Sequence, residues 1–291
     1  MDNKFDKILL CPTCRQSGLT REEDCYICDS CRTEYPDYEG TAAIVTRQDR
    51  EDDYGKMLVI GDNTKRWKHE AKWDEQFSSL IPDGDGILLD FACGGGRKSW
   101  AESKGYDYIG LDYYLDYGVN LLANGTNIPL KDNTVSICTS HAVMEHIPDP
   151  WVASNELFRI LKPGGLYIGS TAFLQAFHER SHYNMSHLGV RHMLEKSGFV
   201  VEEIISWKAS GLEALIRSLF VVKLPVSLLV GLPFKFIMSL RKIGAKFVEK
   251  IYSKDTNKLR RISQFLAEEP MRFTSGFTYV ARKPNNLQSI E

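Results

Sequence analysis

Short apolar runs recur through the middle of the chain, each bounded by a charged or glycine-rich turn. Ile87-Leu88-Leu89-Asp90-Phe91 lacks the polar alternation of a half-exposed strand and reads as a buried strand of a parallel sheet. Tyr108-Ile109-Gly110-Leu111-Asp112 and residues 135–140 and 166–170 repeat the pattern, and residues 277–281 supply the last strand. Residues 150–161 carry a helical period instead, with Trp151, Leu157, Ile160 and Leu161 able to share a face, and Lys162-Pro163-Gly164-Gly165 stops that helix. A further helix is predicted over residues 189–198. Strands alternating with helices in this way imply a doubly wound α/β domain.

The pattern divides the chain into a cysteine-rich module at 1–46, a linker and helix at 47–84, a core at 85–210, an apolar and basic insertion at 211–270, and a last strand with its tail at 271–291. With 291 residues, 43% of them hydrophobic, there is enough material for an α/β core and appendages. A formal net charge of -2 gives no global attraction to nucleic acid. Residues 212–240 form the greasiest stretch, but Lys223 and Lys235 bracket it and Pro225 and Pro233 break it, so no bilayer span is expected. The N-terminus lacks the basic and apolar pattern of a secretory leader, and a cytosolic location is the expectation.

Cys11-Pro12-Thr13-Cys14 and Cys28-Asp29-Ser30-Cys31 are two CxxC pairs thirteen residues apart, the spacing of a four-cysteine zinc ribbon. Each tight turn offers two thiolates to one ion, and a closed shell of four sulfurs makes the expected Zn²⁺ structural. Cys25 could exchange register with Cys28, but only Cys28 completes the second CxxC. The stretch through Cys31-Arg32-Thr33-Glu34-Tyr35-Pro36 resembles the small zinc-ribbon proteins that activate tRNA and protein methyltransferases, a likeness covering about residues 8–46.

After the first strand, Ala92-Cys93-Gly94-Gly95-Gly96 is a glycine-rich turn that lets backbone groups approach a nucleotide-like ligand, and Ser99 removes the glycine that a dinucleotide fingerprint requires. From here the chain resembles the class I S-adenosylmethionine-dependent methyltransferases, with Ala92 replacing the first glycine of their G-x-G-x-G loop. The resemblance implies a Rossmann-like seven-stranded sheet. It also implies cofactor contacts from Asp90, Ala92, Cys93, Gly94 and Gly96, a ribose ligand in Asp112, an adenine-recognising turn of Asn124, Gly125 and Thr126, and a contact from Ser140. Asn124 stands where the family has an aspartate, and Ser136 also departs from an aspartate. The segment His141-Ala142-Val143-Met144-Glu145-His146-Ile147 is similar to the one beneath the transferring methyl group, which makes His146 a catalytic candidate.

Methyl transfer to a hydroxyl needs a proton acceptor, and His178 and His182, in the segment after residues 166–170, are the expected bases. Residues 173–199 resemble bacterial methyltransferases of sugar and polysaccharide biosynthesis, departing from them in the run Ser181-His182-Tyr183-Asn184-Met185. The acceptor expected is therefore a small molecule, a saccharide or a lipid-linked precursor. Ribosomal RNA guanine methyltransferases also place a zinc finger before this fold, and an RNA substrate is the alternative. It is the weaker one because the ribbon is acidic at Glu22, Glu23, Asp24 and Asp29. A non-catalytic scaffold is the third reading. From 235 to 261 nine Lys or Arg stand against Glu249 and Asp255, which suits either a solvated lid helix or peripheral contact with an anionic membrane through residues 212–261.

Overall fold

The computed structural model describes residues 3–38, 40–51, 69–175, 180–207 and 274–285, with scattered positions between 236 and 264. A 3-10 turn over Asn3–Ile8 opens the chain, followed by β1 (Leu19–Arg21), β2 (Cys25–Cys28), β3 (Glu34–Tyr38) and β4 (Thr41–Ala43). Next come α1 (Arg47–Glu51), α2 (Glu75–Ser78), β5 (Ile87–Phe91), α3 (Lys98–Ser103), β6 (Asp107–Asp112), β7 (Leu121–Leu122) and β8 (Val135–His141). A 3-10 turn at Met144–His146 leads to α4 (Pro150–Ile160), β9 (Leu161–Ala172), α5 (His187–Lys196), β10 (Val200–Ser206) and β11 (Gly276–Arg282).

The strands form one sheet in the order β1-β2-β3-β4-β7-β6-β5-β8-β9-β11-β10. β5 pairs in parallel with both β6 and β8, so the chain winds outward through β6 to β7 and then reverses through β8 to β9. The β5/β8 boundary is thus the topological switch point, and in open α/β sheets ligands bind outside the carboxyl ends of the strands at such a point. Helices cover both faces. Leu157 of α4 and Val190, Met193 and Leu194 of α5 belong to one buried cluster, while Phe77 of α2 and Ala101 of α3 join Trp73 and Tyr106 in the other.

Local chemistry sets the helix limits. The Ser186 hydroxyl accepts from the Gly189 amide to start α5, and Gly198 leaves the helix at φ +100°. Pro150 opens α4, and Leu161 turns extended ahead of Pro163. The buried Lys283 then donates to the carbonyls of Phe158 and Leu161 at that helix's end, both at 2.8 Å. Leu157, Ile160 and Leu161 are buried as expected, but Trp151 is 40% exposed. Six residues before Leu157 lies about 120° off the core stripe, so Ala153 fills the inner position.

The sheet is longer than the seven strands expected because the N-terminal strands continue its edge. β4 lies parallel on β7, with Ala42 facing Leu121, and β3 pairs with β4. The Leu10 amide donates to the Pro129 carbonyl at 3.0 Å and the Lys131 amide to that of Ile8 at 2.8 Å. Leu9, Tyr26 and Tyr35 sit in the same buried cluster as Phe91 and Leu111. Some 40 residues cannot bury a core alone, and residues 1–46 resolve this by sharing the core of the sheet they extend.

A buried carboxylate fastens the two parts. Glu156 of α4 accepts from Arg15 at 2.9 Å, from Arg159 at 2.8 Å and from the Ile128 amide at 2.8 Å. Burial pushes its carboxyl up, but the Arg159 and Arg15 guanidinium groups outweigh this and hold it below the usual range. A depressed carboxylate adds stability above its unfolded-state value near ~4.3, and loses it as pH falls through the folded-state value. Glu156→Gln is expected to cost about 2–4 kcal/mol at pH 7, less than a fully dry pair because Arg15 is partly exposed. Urea titrations between pH 3 and 7 check this, since the variant should lose the acid-side fall contributed by this carboxyl.

Candidate active site

At the switch point β5 ends in Asp90 and Phe91, and the chain turns sharply through Ala92 to Gly96. Ala92 adopts φ +53°, Gly94 +53° and Gly96 +65°, so two of the three left-handed positions carry no side chain. Asp90 lies almost fully buried beneath this loop. It accepts from Arg97 Nη1 and the Tyr108 hydroxyl, both at 3.0 Å, and from the Thr139 hydroxyl at 3.2 Å. Burial pushes the Asp90 carboxyl above its usual range, against the pull of the Arg97 guanidinium and of the Tyr108 and Thr139 hydroxyls. The same Arg97 nitrogen donates to the Cys93 carbonyl at 2.8 Å, and the Trp73 ring lies 5.1 Å from the guanidinium carbon. The segment around Trp73 forms a strap over the loop, for the Ala71 amide donates to the Gly96 carbonyl and Glu70 caps α3 through the Ser99 amide and hydroxyl.

Asp112 ends β6 and points back at the loop, accepting from the Gly94 amide at 2.8 Å and from the Tyr113 and Tyr114 amides at 2.7 and 3.1 Å. Asn124 turns its amide oxygen onto Thr126, accepting from its amide and hydroxyl, and gives its amide nitrogen to Asp49 at 2.6 Å. Asp49 is itself fixed in a reciprocal capping pair at the start of α1: its carboxylate accepts from the Thr46 amide, and its amide donates to the Thr46 hydroxyl. The carboxylate expected at position 124 thus stands one side chain away. Gly125 admits the Phe91 ring, which would meet an added Cβ at 2.5 Å.

At the end of β8, Ser140 faces the core, its hydroxyl 2.8 Å from that of Tyr167. His141, the next residue, faces the crevice and places Nε2 3.2 Å from Asp74, while Phe77 packs edge-on against the ring at 4.9 Å. Ala142 then turns away at φ +55°, its amide donating to the Ser170 hydroxyl and carbonyl. Desolvation pushes Asp74 up, but the Phe77 amide and His141 hold its carboxyl below the ordinary range. The Glu145 carboxylate is buried against Thr171 and the Ala172 amide, and its carbonyl takes the His182 and Tyr183 amides, which ties that loop to the end of β9.

Known proteins resemble the segment that carries this arrangement. Residues 89–169, which hold the glycine loop, Asp112, Asn124 and His141, match the model of the methyltransferase domain family. In this segment the chain is similar to the methyltransferase domain family. An uncharacterized methyltransferase of Mycobacterium sp. (strain JLS) is 46% identical over 116 residues, covering 35% of this chain and 45% of that protein. One from Mycobacterium bovis (strain ATCC BAA-935 / AF2122/97) is 39% identical over 114 residues, covering 33% and 45%. The chain therefore spans less than half the length of these relatives. Among solved structures, an S-adenosylmethionine dependent methyltransferase from Mesorhizobium loti aligns with TM-score 0.43 and 13% identity over 71% of this chain and 95% of that one.

Within the matched segment the expected residues divide. Asp90, Ala92, Cys93, Gly94, Gly96 and Asp112 converge at the ends of β5 and β6, and Asn124, Gly125 and Thr126 form one turn beside them. The Ser140 side chain is turned away from them. Of the catalytic candidates, His146 lies in the 3-10 turn, His182 is exposed beside Tyr183, and His178 falls outside the described residues. Asp49, Asp74 and His141, which join this region, are singled out by no motif that the sequence displays. Only the position of His141 next to Ser140, at a strand end, could have signalled it.

At the other end of the chain the four expected metal ligands come together, with all four sulfurs within 4.8 Å of one another. Cys11 and Cys31 lie 3.7 Å apart and Cys14 and Cys28 3.6 Å, close to the edge of about 3.8 Å in a tetrahedron with ~2.3 Å metal–sulfur bonds. These separations are far too long for disulfides. Burial pushes the Cys11 thiol up to about 11, whereas at Cys28 the Ser17 hydroxyl and the Cys31 and Ser30 amides overcome desolvation and bring the thiol down to about 6. Cys25 stands apart from this cage.

The loop conformation yields a paired prediction. Ala92 bears a left-handed cost of about 1–2 kcal/mol, more than the unfolded-state entropy that a glycine adds, so Ala92→Gly is expected to raise stability by about 0.5–1 kcal/mol. A Cβ at Gly96 would lie 2.7 Å from the Gly118 Cα, so Gly96→Ala is expected to lose about 2–4 kcal/mol. Thermal melts of the two variants read both signs directly.

Proposed function

We propose that the chain is an S-adenosylmethionine-dependent methyltransferase acting on a hydroxyl of a small-molecule, saccharide or lipid-linked acceptor. The observation that carries this reading is the His141–Asp74 pair at the carboxyl end of β8, beside the glycine loop at the switch point. A carboxylate can only accept, so Nε2 facing Asp74 is the protonated nitrogen, and in the neutral ring Nδ1 keeps the lone pair that a base requires. When bound, the cofactor supplies an electrophilic methyl carbon and leaves as a neutral thioether. His141 takes the acceptor's hydroxyl proton, and Asp74, kept anionic by the Phe77 amide, steadies the charged imidazole. Asp112 and the open backbone of Gly94 and Gly96 fit the ribose and the amino-acid part of the cofactor, and Asp49 restores a carboxylate beside the adenine turn. Trp151, stacked edge-on against Tyr183 and partly exposed, adds an aromatic rim suited to sugar rings. The acidic ribbon makes RNA the weaker alternative.

Calorimetric titration with S-adenosylmethionine and S-adenosylhomocysteine tests the first half. Micromolar binding that Asp112→Asn weakens at least tenfold is expected, and no binding sinks the reading. His141→Asn should leave that affinity within about twofold while lowering S-adenosylhomocysteine release with a sugar-acceptor panel by about 10²–10⁴-fold. An unchanged rate would move the proton to another group.

We also infer that the four-cysteine cage holds structural Zn²⁺, which the near-tetrahedral sulfur spacing and the thiolate-directed amides support. One zinc per chain is expected by elemental analysis. Chelation or Cys14→Ser should cost about 3 kcal/mol or more, a fall of roughly 10 °C in melting temperature.

A further inference from the structure

Among the described residues, those between 236 and 251 are all helical, and they expose an apolar stripe. Phe236, Leu240, Ile243, Phe247 and Ile251 are each 50–65% exposed, although side chains of this kind are normally buried. Spaced three or four residues apart, they fall within an arc of about 80° at ~100° per residue, so they form one continuous face. Lys250 is exposed at the border of that face, and Arg260 and Arg261 are exposed beyond it. Over residues 235–261 nine Lys or Arg stand against two acidic residues, an excess of seven in a chain of net charge -2, so the remainder carries -9. The charge decides what covers the stripe. Two copies meeting face to face would bring both excesses of seven together, and nucleic acid would leave the five apolar side chains in water.

We propose that this helical face lies in the interfacial plane of an anionic phospholipid bilayer, with Phe236, Leu240, Ile243, Phe247 and Ile251 among the acyl chains and the basic side chains at the headgroups. An anionic surface offers both halves of the match, an apolar layer for the stripe and negative charge for the lysines and arginines. The same field repels the acidic remainder, so the charge separation orients the molecule helix-down. Among the described residues no helix is long and apolar enough to cross a membrane, and the five apolar side chains are exposed. The inference stands apart from methyl transfer and needs no cofactor.

The test is co-sedimentation of the full chain with vesicles of phosphatidylcholine alone and with about 30% phosphatidylglycerol. Binding at least tenfold tighter to the anionic vesicles and weakened by salt is expected. The double variant Ile243→Asp/Phe247→Asp should lose at least tenfold of that binding while keeping its melting temperature, and Phe247→Trp should shift its emission to the blue on the vesicles and be quenched by brominated lipid. Equal binding to both vesicles, an unaltered double variant, or a tryptophan that stays in water would overturn the proposal. So would binding to RNA with an affinity above that for the vesicles, or a dimer that the double variant dissociates.

Discussion

Asp90 and Arg97 are held nearly dry under the indole of Trp73, and β6, β8 and the glycine loop all bond to that pair. Tyr108 from β6 and Thr139 from β8 bond Asp90, while Arg97 holds the Cys93 carbonyl of the glycine loop. A buried charge tolerates little displacement from its partner, so the loop, the two neighbouring strands and the strap take up one mutual arrangement. The open backbone at Gly94 and Gly96 and the carboxylate of Asp112 keep their mutual placement because this arrangement does not drift.

The strands were legible because a doubly covered strand must be apolar over most of its length, and Ile87–Phe91 shows this without ambiguity. The glycine loop was legible for a related reason, since the left-handed turns at Gly94 and Gly96 favour that residue type. What stayed hidden is non-local. β7 has two residues and β4 three, too short to leave a periodic trace, yet their pairing joins the N-terminal segment to the sheet. Asp49 meets Asn124 across 75 positions, and Asp74 meets His141 across 67. Trp151 illustrates the opposite error: its hydrophobicity suggested the core, while its angular position on α4 sends it to the surface.

The N-terminal cysteine cage is connected to the cofactor crevice by a short physical route. β4 runs from the cage along β7, and the chain continues through Thr46 to Asp49, which grips Asn124. Tyr113, next to Asp112, donates its hydroxyl to the Asp49 carbonyl at 2.7 Å, and Arg15 reaches Glu156 on α4. The module is therefore built into the sheet edge, and it also gives the β7 edge a partner that an exposed strand would otherwise seek in another molecule.

Among the described residues, β11 follows every other strand in the chain but does not lie at the edge of the sheet. It lies between β9 and β10, and among the described residues β10 pairs only with it. A nascent chain that has already produced β10 therefore lacks the strand β10 pairs with until Gly276–Arg282 leaves the ribosome, and β9 waits for the same partner. Premature termination shortly before residue 276 would not shorten the sheet at its margin. It would remove an interior strand, detach β10 with it, and release a chain with its aggregation-prone flank exposed.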